Sequence, residues 1–413
     1  MRYLLVVPVP FHRLHDGRAA VESAFALHLQ KLLASLGPRV AAIEVLAPAM
    51  DAAQYAANQG SLRPVDAATE RIVFTAAFAL GGGRLRAMLR LPALAARIWR
   101  AVGRAGWVHA GPSQLFSPFE NLALAIGRLR SRHTIYVTDI DHRNSARMHL
   151  ATGRWSRGVA WRRRHVHDRW FALQHHLARM LASTVFLKGR ALVRDFGRGK
   201  PNVHYILDSA HSADMVLPPD RQQQRLERLQ ASVGLRACYF GRLVDYKGID
   251  RMLRAVHAAR AAGAAVTFDV YGDGPSREAL TALTHELQLD DVARFHGSRP
   301  YGQQFFAELA QCDVLLACPL SEDTPRSAID AQALGMAVLA FDTYYYAELA
   351  EQNAGVVVVP WPDHAALAKA LGALASDRAR LVALARAAFT FAAANTQEQW
   401  LERRAQCTPG LRP

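Results

Sequence analysis

The sequence predicts an α/β protein of two doubly wound, parallel-sheet domains, and three observations carry that prediction. Strand-like and helix-like segments alternate through both halves of the 413 residues, the pattern of parallel sheets covered by helices on both faces. Apolar residues make up 51% of the chain, enough for two full cores. The charge is divided unevenly. Residues 1–205 hold 30 Lys/Arg and 11 Asp/Glu, a balance of +19, and residues 206–413 hold the other 20 and 24, a balance of −4, which together give the net +15. Two domains with different partners account for such a division.

In the first half, strands are expected at Tyr3–Val7, Val40–Leu46, Arg71–Phe74, Trp107–Ala110, Thr134–Thr138, Thr184–Leu187 and Val203–Ile206. Helices are expected at Ala19–Leu36, Arg84–Val102, Pro118–Arg130 and Trp161–Leu181. The opening Tyr3–Val7 is too short for a secretion signal and reads as a first strand. The pattern weakens between Leu207 and Gly234, so 208–235 reads as a linker between a domain 1–207 and a domain 236–390. Strands then recur at Ala237–Phe240, Val266–Val270, Ala293–His296, Val314–Ala317, Ala337–Ala340 and Val356–Val359, and the chain is helical from Asp363 to about Arg404, ending in a return helix and tail at 391–413. The four cysteines form no metal or redox spacing, which fits reduced structural thiols and a cytoplasmic protein. No apolar run approaches the ~18 residues of a spanning helix.

Ligands of such sheets bind outside the carboxyl ends of the strands. Four strand ends in the second half carry suitable residues. Phe240-Gly241-Arg242-Leu243 is followed by Lys247-Gly248, which places two cations beside a glycine that lets a ligand approach the backbone. Gly272-Asp273-Gly274-Pro275 and Gly297-Ser298 close the next two ends. The fourth, Leu320 to Gly335, is expected to cap a helix at Thr324, start it at Pro325 and stop it at Gly335. Glu322 then precedes the helix and Asp330 lies about a turn and a half inside. Free N–H groups at such a start suit a phosphate, and carboxylates suit sugar hydroxyls; the plainer alternative is a capped surface helix with scattered acids.

Taken in order, Tyr239-Phe240-Gly241-Arg242-Leu243 with Lys247-Gly248, then Gly272-Asp273-Gly274-Pro275, then Glu322 and Asp330 with seven residues between them, resemble the donor domain of retaining glycosyltransferases of family 4. The resemblance is close over residues 236–385 and elsewhere rests on strand order. It implies the GT-B fold, two Rossmann-like domains facing a cleft with a last helix, bearing Trp400, that crosses back to the first. It implies that Arg242 and Lys247 hold a donor diphosphate, that Glu322 meets the donor sugar, and that Asp330, where relatives carry Glu, binds the ribose. Backbone near Gly274 and Ser298 frames the base, and Thr324, Pro325, Arg326 and Ser327 add phosphate contacts. The implied reaction is metal-free, retaining transfer of a hexose from a UDP- or GDP-sugar to a saccharide or polyprenyl-diphosphate-linked saccharide in surface polysaccharide or glycolipid assembly, with no resident cofactor.

The acceptor side is less marked. Asp16-Gly17 stands where relatives have paired glycines, and Asp208-Ser209-Ala210-His211 where many have Asn-Gly-x-Asp. His109 ends a strand and is a catalytic candidate. Asp139, Asp141 and His142 follow another strand and are expected to line the acceptor side. An Asp-x-Asp there also leaves open a metal-dependent transferase of the other fold. Two basic stretches, from Arg84 to Arg104 and from Arg154 to Arg169, interleave with Trp99, Trp155, Trp161 and Trp170. They suit the anionic inner face of a cell membrane, although a solvated helix face is the plainer reading. No nucleic-acid motif accompanies them. A non-catalytic relative that binds glycan or membrane through this half is the alternative from another class.

Overall fold

The computed structural model describes residues 1–80, 91–115, 117–139, 141–324 and 326–411. They form two compact units: Met1–Asp139 with Arg162–Ile206 and Trp400–Pro413, and Ile140–Trp161 with Leu207–Gln399.

The strands of the first unit are β1 (Arg2–Val6), β2 (His12–Arg13), β3 (Ala19–Glu22), β4 (Ala42–Ala49), β5 (Leu62–Val65), β6 (Ile72–Ala79), β7 (Ala105–Ala110), β8 (His133–Thr138), β9 (Thr184–Lys188) and β10 (Val203–Ile206). Seven of them make one sheet, β10-β9-β8-β7-β1-β4-β6, parallel throughout. Its middle strand β7 is buried at every position and β1 at all but its first residue, as parallel strands covered on both faces must be. Chain order reverses between β1 and β7.

Here Ala19–Glu22, expected to begin a helix, is instead a strand of a small antiparallel sheet, β2-β3-β5. Its Ala19, Ala20 and Val21 are buried, and the helix starts only at Ser23. The helix expected at Arg84–Val102 runs over Leu91–Arg104; residues 84–90 lie outside the described residues. Trp400 packs within this unit, its ring 5.7 Å from that of Tyr205.

The second unit contains β11 (Leu235–Phe240), β12 (Val266–Tyr271), β13 (Ala293–Gly297), β14 (Val314–Ala317), β15 (Ala337–Phe341) and β16 (Val356–Val359). They form a parallel sheet of order β13-β12-β11-β14-β15-β16, the Rossmann order, with its switch point between β11 and β14. One large core of Leu, Val, Ala and Phe side chains fills this unit.

Two expectations about boundaries are corrected. The linker is not loose, because Pro219–Ala231 is a helix of the second unit. Leu226 and Leu229 of that helix are buried, and the buried Arg225 guanidinium donates to the carbonyls of Ala310 and Cys312, both at 2.5 Å. Residues 140–161, expected in the first domain, group with the second, held by Arg154, whose guanidinium donates to both Asp245 carboxylate oxygens at 2.7 Å.

Candidate functional site

The loops after β11, β12 and β14 meet at the carboxyl end of the second sheet. Backbone N–H groups join them: Gly241 donates to Tyr271 (3.0 Å), Leu243 to Asp273 (3.0 Å) and Leu320 to Tyr246 (2.7 Å). Two glycines are demanded by this closeness. Gly272 has φ +133°, and a Cβ there would fall on the Gly241 carbonyl oxygen. Gly248 has φ +67°, and a Cβ would fall on the Cys318 carbonyl oxygen. Any side chain at either position would push two strand-end loops apart.

This framework carries Arg242, exposed at the mouth, and Lys247, mostly buried. The Lys247 ammonium is ion-paired with Asp323 and lies 5.4 Å from the centre of the Tyr246 ring. Asp323 was not among the residues expected in the site; the only sequence signal for it is its place beside Glu322. Lys247, Asp323 and Ser327 line a cavity of about 20 Å³ together with Tyr239 and Tyr346, room for one water. The Tyr239 hydroxyl donates to the Arg242 carbonyl at 2.9 Å, which ties the arginine loop to β11.

Glu322 is buried, 8% exposed, and its Oε1 accepts from Asn144 Nδ2 at 2.9 Å. Burial pushes its carboxyl up to about 7, with the Asp141 charge adding to the rise; the Asn144 hydrogen bond, the Tyr344 backbone and the Arg147 charge oppose it. A carboxyl in such a setting exchanges its proton near neutrality. Asn144, 178 positions away in sequence, is a second residue that sequence reasoning missed.

The helix start differs from expectation. The helix is Ser327–Ala333, with Arg326 at the position before it, so Thr324 does not cap it; Pro325, expected to start the helix, lies outside the described residues. Thr324 N–H instead donates to Asp323 Oδ1 at 3.0 Å. Asp330 therefore sits in the first turn, not a turn and a half inside. It is buried, and its Oδ1 accepts from the His211 N–H at 3.0 Å. The helix stops as expected at Gly335, φ +65°. Gly274 donates to Asp273 Oδ1 at 2.8 Å, and Ser298 is exposed on the loop after β13. Beside that loop His296 stacks on Tyr271, centroids 4.4 Å apart, and its Nε2 is 2.7 Å from Asp269 Oδ1.

The first-unit candidates stand differently. His109 lies on β7 with its ring turned into the layer over the sheet, where Nδ1 meets the Tyr3 hydroxyl at 2.9 Å. Burial, with help from the Arg404 charge, holds its imidazole well below the usual range. It is a buried neutral partner of Tyr3, because its place in the strand directs the side chain to a sheet face and not past the edge. Asp16 and Gly17 form the β2–β3 turn: Arg18 Nε donates to Asp16 Oδ2 at 2.7 Å, and Gly17 has φ +85°. Asp139 follows β8, in the first unit. Asp141 is taken up by Arg143, whose Nε donates to it at 2.8 Å. His142 opens the turn His142–Asn144, and its side chain is outside the described parts. Among the described residues no group of three His, Cys, Asp or Glu is placed to hold a metal.

Solved structures share this architecture. The Anabaena protein Alr3699/HepE, crystallised with UDP, superposes with a TM-score of 0.65 over 98% of both chains at 15% identity. The fold is thus GT-B, the class built from a pair of Rossmann-like units. Residues 221–391 match the sequence profile of glycosyl transferases group 1. Two curated relatives are the 2-deoxystreptamine glucosyltransferase of Streptomyces kanamyceticus, 32% identical over 135 residues (30% of this chain, 35% of that protein), and the putative colanic acid biosynthesis glycosyltransferase WcaL of Salmonella typhimurium, 29% identical over 136 residues (32% and 33%). The chain spans about a third of the length of these relatives.

Proposed function

We propose that the chain is a retaining, metal-independent hexosyltransferase of family 4 type. It moves a sugar from a UDP- or GDP-sugar to a saccharide, free or carried on a polyprenyl diphosphate, in surface polysaccharide or glycolipid assembly at the inner face of the cell membrane. The observation that carries this reading is the convergence of Lys247, Arg242 and the buried Glu322 at the switch point of a Rossmann-ordered sheet. Retention and acceptor class come from the motif resemblance. The relatives' printed roles, one a glucosyltransferase and one in colanic acid biosynthesis, point the same way.

Transfer breaks the bond from the anomeric carbon to the diphosphate oxygen, and the electron pair leaves on the diphosphate. The acceptor hydroxyl bonds to that carbon on the same face and gives up its proton to the departing phosphate oxygen. Arg242 and Lys247 neutralise the charge where it develops, and Lys247 exchanges Asp323 for a phosphate oxygen as the donor enters. Glu322 holds sugar hydroxyls. The hold of Arg143 on Asp141 weighs against the metal-dependent alternative.

The test is incubation with UDP- and GDP-hexoses under excess chelator, with the anomer first released or transferred read by NMR. An α-donor that gives α-product supports the reading. A β-product overturns retention, and activity lost to chelator and restored by manganese overturns metal independence.

A further inference from the structure

Within the first unit, the helix Asp168–Leu181 is apolar on two opposite sides. Its inner side is accounted for. Phe171 and Ala178 are buried, the Tyr136 hydroxyl meets His175 Nδ1 at 2.7 Å, and Gln174 Nε2 donates to the Ser113 carbonyl at 3.1 Å. The outer side carries Leu173 (47% exposed), Leu177 (45%), Met180 (68%) and Leu181 (55%). At 100° per residue these four fall within one arc of about 100°, the width of a stripe that normally faces a core. A 14-residue helix of this kind is about 21 Å long. Folding alone gives no reason to leave four large apolar side chains in water along one line, because each withholds burial energy that a polar residue would not forgo.

The rim identifies the occupant. Residues 162–181 contain five arginines (162, 163, 164, 169, 179) against one acid, Asp168, and Arg164 and Arg169 are exposed. Of the tryptophans expected to mark this surface, two are engaged elsewhere, Trp170 Nε1 donating to the Ser113 carbonyl at 2.9 Å and Trp155 packing on His149 with centroids 4.2 Å apart, while Trp161 is exposed just before the arginine run. From the exposed stripe and its cationic rim we infer that this helix seats the chain on an anionic lipid bilayer, with Leu173, Leu177, Met180 and Leu181 entering the headgroup–acyl boundary and Arg164 and Arg169 on lipid phosphates. A second copy of the chain fits poorly, because a self-complementary contact would bring two like-charged arginine rims together.

The inference deepens the functional reading above, on which it rests only for placing the acceptor at a membrane, and vesicle binding is read without turnover. Full-length protein is floated with vesicles of phosphatidylcholine alone, or of phosphatidylcholine and phosphatidylglycerol in equal parts, at low and high salt. Wild type is expected to float with the anionic vesicles at low salt and to be released by salt. Leu177→Gln with Met180→Gln, and separately Arg164→Gln with Arg169→Gln, are each expected to lower partitioning by about tenfold or more while melting like wild type. The inference is overturned if the Leu177/Met180 variant floats like wild type, or if wild type leaves anionic vesicles unbound. A wild-type dimer that ignores lipid and is dissolved by the Leu177/Met180 variant assigns the stripe to a second copy, which also overturns it.

Discussion

Replacing Glu322 by Gln separates the cost of the site from its use. In the folded chain burial lifts this carboxyl from 4.5 to about 7, so the folded state binds the proton more tightly than the unfolded one. Ionising Glu322 therefore destabilises the fold. The loss begins as pH rises past about 4.5 and is complete above about 7, where it reaches about 3 kcal/mol at ~1.4 kcal/mol per tenfold. Gln cannot ionise and keeps an oxygen for the Asn144 amide, so Glu322→Gln removes the loss. For a unit of this size each kcal/mol is worth about 2–4 °C. The variant is expected to melt about 6–12 °C above wild type at pH 8 and only about 2–3 °C above it at pH 5, while losing transfer. Melting curves of both proteins across this range, followed by circular dichroism, make the comparison. A melting difference that does not change with pH would show that Glu322 is not held as a strained, buried acid.

Asp323→Asn frees Lys247 from its ion pair and is expected to tighten UDP binding about fivefold by calorimetry; unchanged or weaker binding would show that Asp323 does not compete with the donor. Gly272→Ala sets a methyl on the Gly241 carbonyl oxygen at a positive φ and is expected to cost about 3 kcal/mol or more in denaturant unfolding. A neutral result would mean that the two strand-end loops part freely. Arg225→Met strands the buried carbonyl of Cys312, leaves that of Ala310 with only its longer bond from Arg228, and is expected to destabilise by about 2–4 kcal/mol; equal stability would show that water or a shifted backbone satisfies the Cys312 carbonyl.

The two parallel sheets were legible because their strands are unbroken apolar runs bounded by glycine and polar turns, as at Val314–Ala317 and Val356–Val359. The small antiparallel sheet was not, because Ala19–Glu22 is alanine-rich and its neighbour His12–Arg13 is only two residues long. The helix Pro219–Ala231 hid among glutamines and arginines, since it buries only Leu226, Leu229 and an arginine that finds backbone carbonyls. The placement of Gly241, Lys247 and Glu322 in the loops that follow β11 and β14 could be read from spacing, because those loops leave the carboxyl ends of apolar strands. The partners that tune them could not. The Asp323–Lys247 pair and the Asn144–Glu322 hydrogen bond are tertiary contacts with no local pattern. His109 shows the converse. Its position near a strand end was visible, but the side of the sheet it faces was decided by packing against Tyr3.

The central claim is that the second unit holds a nucleotide-sugar donor on Lys247 and Glu322. Calorimetric titration of UDP-, GDP-, ADP- and dTDP-sugars into wild type, Lys247→Ala and Glu322→Ala tests it most directly. The account predicts that one donor binds wild type and that Lys247→Ala weakens this by about tenfold or more, with Glu322→Ala losing the preference for the sugar over the bare nucleotide. Folded wild-type protein that binds none of the four donors, or a Lys247→Ala variant that binds as wild type does, would contradict it.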